Sequence, residues 1–215
     1  MRLLIVAVGY PLAVHAAVML KHPVAGFGAL LAVILIHLTV NQWGNNQHDL
    51  RAVRGTLLGI FVLTALVAIA LHWGPTYALF LPPIAINVFL LIVFGRTLLP
   101  GREPIISRLS RLMRGDLPDD LRAYTRGLTW LWAGIFAGFV VESVLLALYA
   151  PLEVWSLFTN IVNYLFVAVL LVAEYIYRVW RFSNYTHTSP LQLVLTLARQ
   201  GVNPLLRAWE PGRSK

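Results

Sequence analysis

Six long apolar runs dominate this chain, covering approximately residues 3–20, 23–40, 55–73, 75–95, 128–150 and 152–177. Each is close to the ~17–25 apolar residues that carry a helix across a hydrocarbon core. The runs are apolar all round rather than alternating, which excludes the strands of a membrane barrel and leaves helices as the only spanning structure. Connections within the first and second, third and fourth, and fifth and sixth runs are very short, so each pair is expected to form an antiparallel hairpin. The expected fold is all-α: a polytopic membrane protein with six transmembrane helices in three hairpins. Residues 1–180 form its single transmembrane domain, and 181–215 a surface amphipathic helix and tail.

Composition agrees, since 59% hydrophobic against 12% charged residues, with a mean hydropathy of +0.73, leaves too little polar material to clothe a soluble core. The charges that remain are sorted by side. Sixteen of the seventeen Lys and Arg residues fall on one face once the six runs alternate across a bilayer, and Lys21 stands alone on the other. Because Lys and Arg are retained on the untranslocated side, both termini and the 96–127 loop are expected in the cytoplasm. Trp43, Trp73, Trp130, Trp132, Trp155 and Trp180 sit at run edges, as interfacial indoles prefer. The first run is long for the apolar stretch of a cleaved leader and Val14-His15-Ala16 only loosely resembles a cleavage site, so it is read as a span, with a cleaved leader as the alternative.

The formal charge of +8 belongs to residues beside membrane runs and comes with no base-reading module, so membrane lipids, not nucleic acid, are the expected bulk partners. With no cysteine there is no disulfide and no thiolate chemistry. No His-Glu-x-x-His or Asp-rich pattern appears, so neither a metal nor another cofactor is expected, and no residue is assigned a catalytic role.

Polar side chains at membrane depth are costly and need a reason. His15, Glu142, Asn160 and Asn163 fall at comparable depth in the outer half of the bundle and are expected to form an intramembrane polar cluster. That cluster serves either as structural glue between helices or as a proton-handling or headgroup site. Glu174 is expected to pair with Arg178 four residues later. Gly55 and Gly59, and Gly134 and Gly138, form Gly-x-x-x-Gly pairs that suit helix packing within the chain or a homo-oligomer. Pro82 and Pro83 are expected to bend the fourth span.

In the 96–127 loop, Pro104 to Arg114 reads as an interfacial helix. Ile105, Ile106, Leu109, Leu112 and Met113 form its lipid face; Ser107, Arg108, Ser110, Arg111 and Arg114 form its polar one. Pro118 with Asp119 and Asp120 marks the next helix start, carboxylates at the positive dipole end. Arg122 and Arg126, one turn apart, suit a phosphate or carboxylate. Arg108, Arg111, Arg114, Arg122 and Arg126 are therefore the expected contacts for an anionic headgroup or acidic protein. A further surface helix is expected from Ser189 and Pro190 onward.

The stretch from Gly101 to Phe136 resembles the signature region of a family of small, uncharacterised bacterial inner-membrane proteins. The resemblance rests on Pro104, Ile106 and Arg108, then Gly115, Leu117 and Pro118, then Tyr124, Thr125, Arg126, Thr129 and Trp132. Members of that family are often encoded among genes for aryl-polyene or fatty-acid-type synthesis, which implies acyl carrier protein or synthase enzymes as partners. Three functions follow as expectations: an accessory protein recruiting acidic acyl-carrying partners, a small carrier or flippase for a lipid-like product, or a membrane enzyme acting on a lipid headgroup.

Overall fold

The computed structural model describes residues 2–44, 50–114 and 118–182, with side chains placed for 9–36, 56–111 and 118–182. Among these residues every regular element is helical: α1 (Arg2–Met19), α2 (Pro23–Gly44), α3 (Leu50–Trp73), α4 (Pro75–Thr97), α5 (Ile105–Arg114), α6 (Asp119–Tyr149), α7 (Leu152–Leu157), a π-turn (Phe158–Val162) and α8 (Asn163–Arg181). Four stretches are long and apolar enough to cross a membrane: Thr56–Trp73, Pro75–Thr97, Asp119–Tyr149 and Leu152–Arg181. The last is one helix in which the π-turn sits between α7 and α8. The surface helix expected after Ser189 lies outside the described residues, as do the side chains of His37, Arg51, Arg54 and Arg114.

Two compact units share these helices, the first formed by Met1–Ile84 with Ser143–Tyr164 and the second by Ala85–Glu142 with residues from Leu165 onward. In the first unit α1 packs against α2 and against the segment formed by α7 and the π-turn, while α2 packs on α3. The hairpin between α1 and α2 closes by a Schellman arrangement. Lys21 N–H donates to Val18 O and His22 N–H to Ala17 O, both at 2.9 Å, with Lys21 left-handed at φ 61°. Between α3 and α4 a single residue, Gly74, makes the turn at φ 102°, a conformation that a side chain would oppose.

Two buried clusters hold this unit. Val14, Leu79 and Trp155 form one, and Leu30, Leu66 and Ala78 the other, with Tyr10 and Phe27 packed against both. Trp155 is 1% exposed and meets the Phe80 ring edge to face at 4.8 Å. Because lipid tails are as apolar as these side chains, the clusters stabilise the unit through contact density rather than by escape from water. Gly26 faces α1 at ordinary contact distance: a Cβ there would lie 3.5 Å from Ala17 Cβ and 3.7 Å from the Val14 backbone.

In the second unit α4 ends at Thr97, whose hydroxyl donates to Phe94 O at 2.7 Å and accepts from Ile105 N–H at 3.1 Å, tying the start of α5 to the end of α4. Gly101 turns the connector at φ 76°. The start of α6 matches the proline and carboxylate signal: Arg122 N–H donates to Pro118 O at 2.9 Å, and Asp120 accepts from Leu121 N–H at 2.8 Å. From there α6 runs unbroken to Tyr149, so the second part of the loop read at 96–127 is the first turns of a helix long and apolar enough to cross a membrane. Phe94 packs on Phe136 at 5.1 Å and Phe139 on Phe166 at 5.9 Å.

Two expectations are corrected. Ser107, placed on the polar face of a freely lying helix, is fully buried and shares a 2.7 Å hydrogen bond with the Thr125 hydroxyl of α6. Through that contact α5 meets protein on a face that a lipid-facing wheel assigns to solvent. The second concerns Gly134 and Gly138, for which packing within the chain was the first expectation. Both are exposed, and among the described residues nothing lies within 4 Å of where their Cβ atoms would stand.

Candidate functional site

The docking of α5 on α6 creates a cleft of about 600 Å³ in the second unit. Three elements converge on it: the connector after α4 brings Arg102 and Glu103, α5 brings Arg111, and the first turns of α6 bring Asp119, Arg122 and Arg126. The sequence places these groups there for simple reasons. Arg122 and Arg126 are four apart and share one helix face, and the Gly101 turn sends Arg102 back toward α5.

Four guanidinium groups face two carboxylates, so the cleft is positive. Arg111 donates to Glu103 in an ion pair. The Arg122–Asp119 pair is looser, at 3.8 Å with both side chains largely in solvent, and so adds little stability. Arg102 and Arg126 are exposed and make no ion pair among the described residues. Two guanidinium forks thus remain to receive a planar or tetrahedral anion, in the geometry that favours bidentate carboxylate or phosphate binding. The lining side chains are guanidinium, carboxylate and apolar groups, an arrangement suited to holding charge. Among the described residues no three His, Asp or Glu side chains are grouped to hold a metal ion.

Of the five arginines expected as contacts, Arg111, Arg122 and Arg126 are brought together here. Arg108 is half-buried on α5 and does not line the cleft, and the Arg114 side chain is outside the described residues. Arg102 joins them unexpectedly. It lies in irregular backbone before α5, where no helical spacing links it to the others.

Beside the cleft, α6 and α8 meet in a polar knot. Tyr124 donates to Glu174 Oε1 at 2.9 Å, and Arg178 Nε lies 3.1 Å from the same oxygen, the i,i+4 pairing expected from the sequence. Tyr124 also stacks on Tyr177 at 5.9 Å and packs on Phe182 at 5.0 Å. This knot pins the start of α6, and with it Arg122 and Arg126.

In the first unit, His15 Nδ1 lies 3.1 Å from Ser156 Oγ, and Asn160 Nδ2 donates to the same hydroxyl at 3.2 Å and to Ser156 O at 3.1 Å. Thr159 donates to Trp155 O at 2.8 Å. Side chains thus occupy the carbonyls of residues 155 and 156, and the backbone widens into the π-turn, where Asn163 N–H reaches back to Phe158 O. His15 and Asn160 therefore meet through Ser156, which was not singled out beforehand. The row Ser156, Thr159, Asn160, Asn163 at i, i+3, i+4 and i+7 was the available signal. Asn163 is half-buried just past the π-turn; Glu142 is half-buried on α6 and belongs to the second unit.

No family model matches the chain, and it has no significant match among curated proteins or solved structures.

Proposed function

We propose that this chain is a membrane-embedded accessory component that recruits an acidic, acyl-carrying partner to the cytoplasmic face of a bacterial inner membrane through the arginine cleft. The observation that carries the reading is the convergence of Arg102, Arg111, Arg122 and Arg126 from three elements around one positive cleft. In this reading α1 and α2 add two spans to the four long apolar helices, and the one-sided distribution of Lys and Arg sets both termini and the cleft in the cytoplasm. The resemblance of the segment around Pro104 to Trp132 supplies the partner's class, acyl carrier protein or synthase of a fatty-acyl or aryl-polyene pathway. A strongly acidic carrier complements the cleft, and electrostatic steering speeds its encounter.

The test is mild crosslinking in native membranes followed by co-purification, comparing the wild-type chain with Arg102→Glu/Arg126→Glu expressed to the same level. Loss of acyl carrier protein or synthase from the variant alone is the expected result. Identical partner lists would sink the recruitment reading.

A second reading, a small carrier for a lipid-like product, is favoured by one observation. The His15–Ser156–Asn160 set lies at a π-turn, an irregularity that recurs at functional sites in helices. Under that reading Ser156→Ala abolishes function while charge reversal in the cleft is tolerated; recruitment predicts the opposite. The open Gly134 and Gly138 face suits a second copy of the chain in either case.

A further inference from the structure

Between α6 and α8 the second unit carries another opening, a groove of about 370 Å³ that the recruitment reading does not use. Its two ends differ. Tyr124, Glu174 and Tyr177 stand at one end, and Leu128, Leu131 and Leu170 line the rest. From Tyr124 to Leu131 the groove follows seven residues of helix, about 10 Å at 1.5 Å per residue. Its volume falls within the ~300–1,000 Å³ of sites that enclose a small molecule.

The groove and the arginine cleft border the same helix. Ala123 lines the cleft and Gly127 the groove, and residues four apart share a helix face. The ridge between the two openings is thus built from the two smallest side chains available. At Gly127 nothing lies within 4 Å of where a Cβ would stand. The carboxylate at the polar end does not repel an anion strongly, because Glu174 is already held by Arg178 and the Tyr124 hydroxyl.

We propose that the groove holds the head-proximal half of the hydrocarbon chain of a single-chain anionic amphiphile, a fatty acid or its acyl derivative, whose charged head crosses the Ala123–Gly127 ridge into the arginine cleft. The occupant is chosen by charge complementarity: an apolar groove next to Arg102 and Arg126, which make no ion pair among the described residues, fits one molecule with both ends, whereas a neutral chain would leave Arg126 unused. The inference rests on reading the cleft as an anion site and names what that site receives.

The test uses the full chain in nanodiscs of neutral phosphatidylcholine, loaded with a diazirine-bearing palmitic acid, photolysed and mapped by peptide mass spectrometry. The expected map concentrates crosslinks on 124–131 and 170–177, about tenfold above those on the lipid-facing α3. Gly127→Phe fills the open space and removes most of this labelling, and the diazirine-bearing alcohol of the same length labels the groove about tenfold less. Labelling spread over all lipid-facing helices would overturn the inference without reliance on any variant, and so would a folded Gly127→Phe chain that labels like wild type. The two readings fail differently. If arginine reversal removes the protein partner but palmitate never concentrates in the groove, only the present inference falls; if reversal changes neither, the cleft reading falls and takes the inference with it.

Discussion

Ser107 of α5 and Thr125 of α6 share a 2.7 Å hydrogen bond in a buried contact that joins the helix carrying Arg111 to the helix carrying Arg122 and Arg126. Thr125 has a second outlet, since its hydroxyl also donates to Leu121 O at 2.8 Å. Ser107 depends on Thr125. Thr125→Val should therefore strand a buried hydroxyl and cost about 1–3 kcal/mol, whereas Ser107→Ala removes the donor itself and should cost less than about 1.5 kcal/mol. Thermal unfolding in detergent, read side by side for both variants, checks the order; equal losses would show that the bond is not what seats α5.

The Tyr124–Glu174–Arg178 knot should be the more sensitive element. Glu174→Gln keeps an acceptor for Tyr124 but leaves Arg178, about one-fifth exposed, without its counter-charge. Allowing for that exposure, the cost should be about 1–3 kcal/mol, against about 1 kcal/mol for Tyr124→Phe. The same unfolding assay distinguishes them, and a Glu174→Gln midpoint equal to wild type would contradict the pairing.

At the π-turn, Ser156→Ala leaves Asn160 its backbone acceptor but removes the hydroxyl that joins it to His15. The expected result is a loss of about 1–3 kcal/mol, and faster amide exchange confined to the segment 156–163. Unchanged exchange there would mean that the widened turn stands without the polar link.

Lys21 occupies a left-handed position that costs a residue with a Cβ roughly 1–2 kcal/mol. Lys21→Gly should relieve that cost and lose part of the gain to the freer unfolded chain, for a net rise of up to about 1 kcal/mol. A lowered unfolding midpoint would argue against the Schellman closure between α1 and α2.

The apolar runs made the helices legible, because run length depends on composition alone; four of them are long and apolar enough to cross a membrane. The Glu174–Arg178 pair was legible too, being one turn apart on one helix. What sequence spacing lacks is the direction in which one helix faces another. Ser107 was assigned to solvent because a helical wheel knows only its own axis, and docking on Thr125 reversed that assignment. His15 and Asn160 were grouped by depth, yet the atom that joins them belongs to Ser156, a residue whose small polar side chain is unremarkable in a span. Arg102 escaped notice because irregular backbone has no period, and only the Gly101 turn brings it to the cleft.

Recruitment of an acidic acyl-carrying protein by the arginine cleft is the proposed activity. Its most direct test is titration of purified acyl carrier protein onto the full chain in neutral nanodiscs, for the wild type and for Arg102→Glu/Arg126→Glu, at several salt concentrations. Binding by the wild type is expected to weaken as salt rises and to fall at least about tenfold in the variant. Equal affinity for both chains, or binding indifferent to salt, would contradict it.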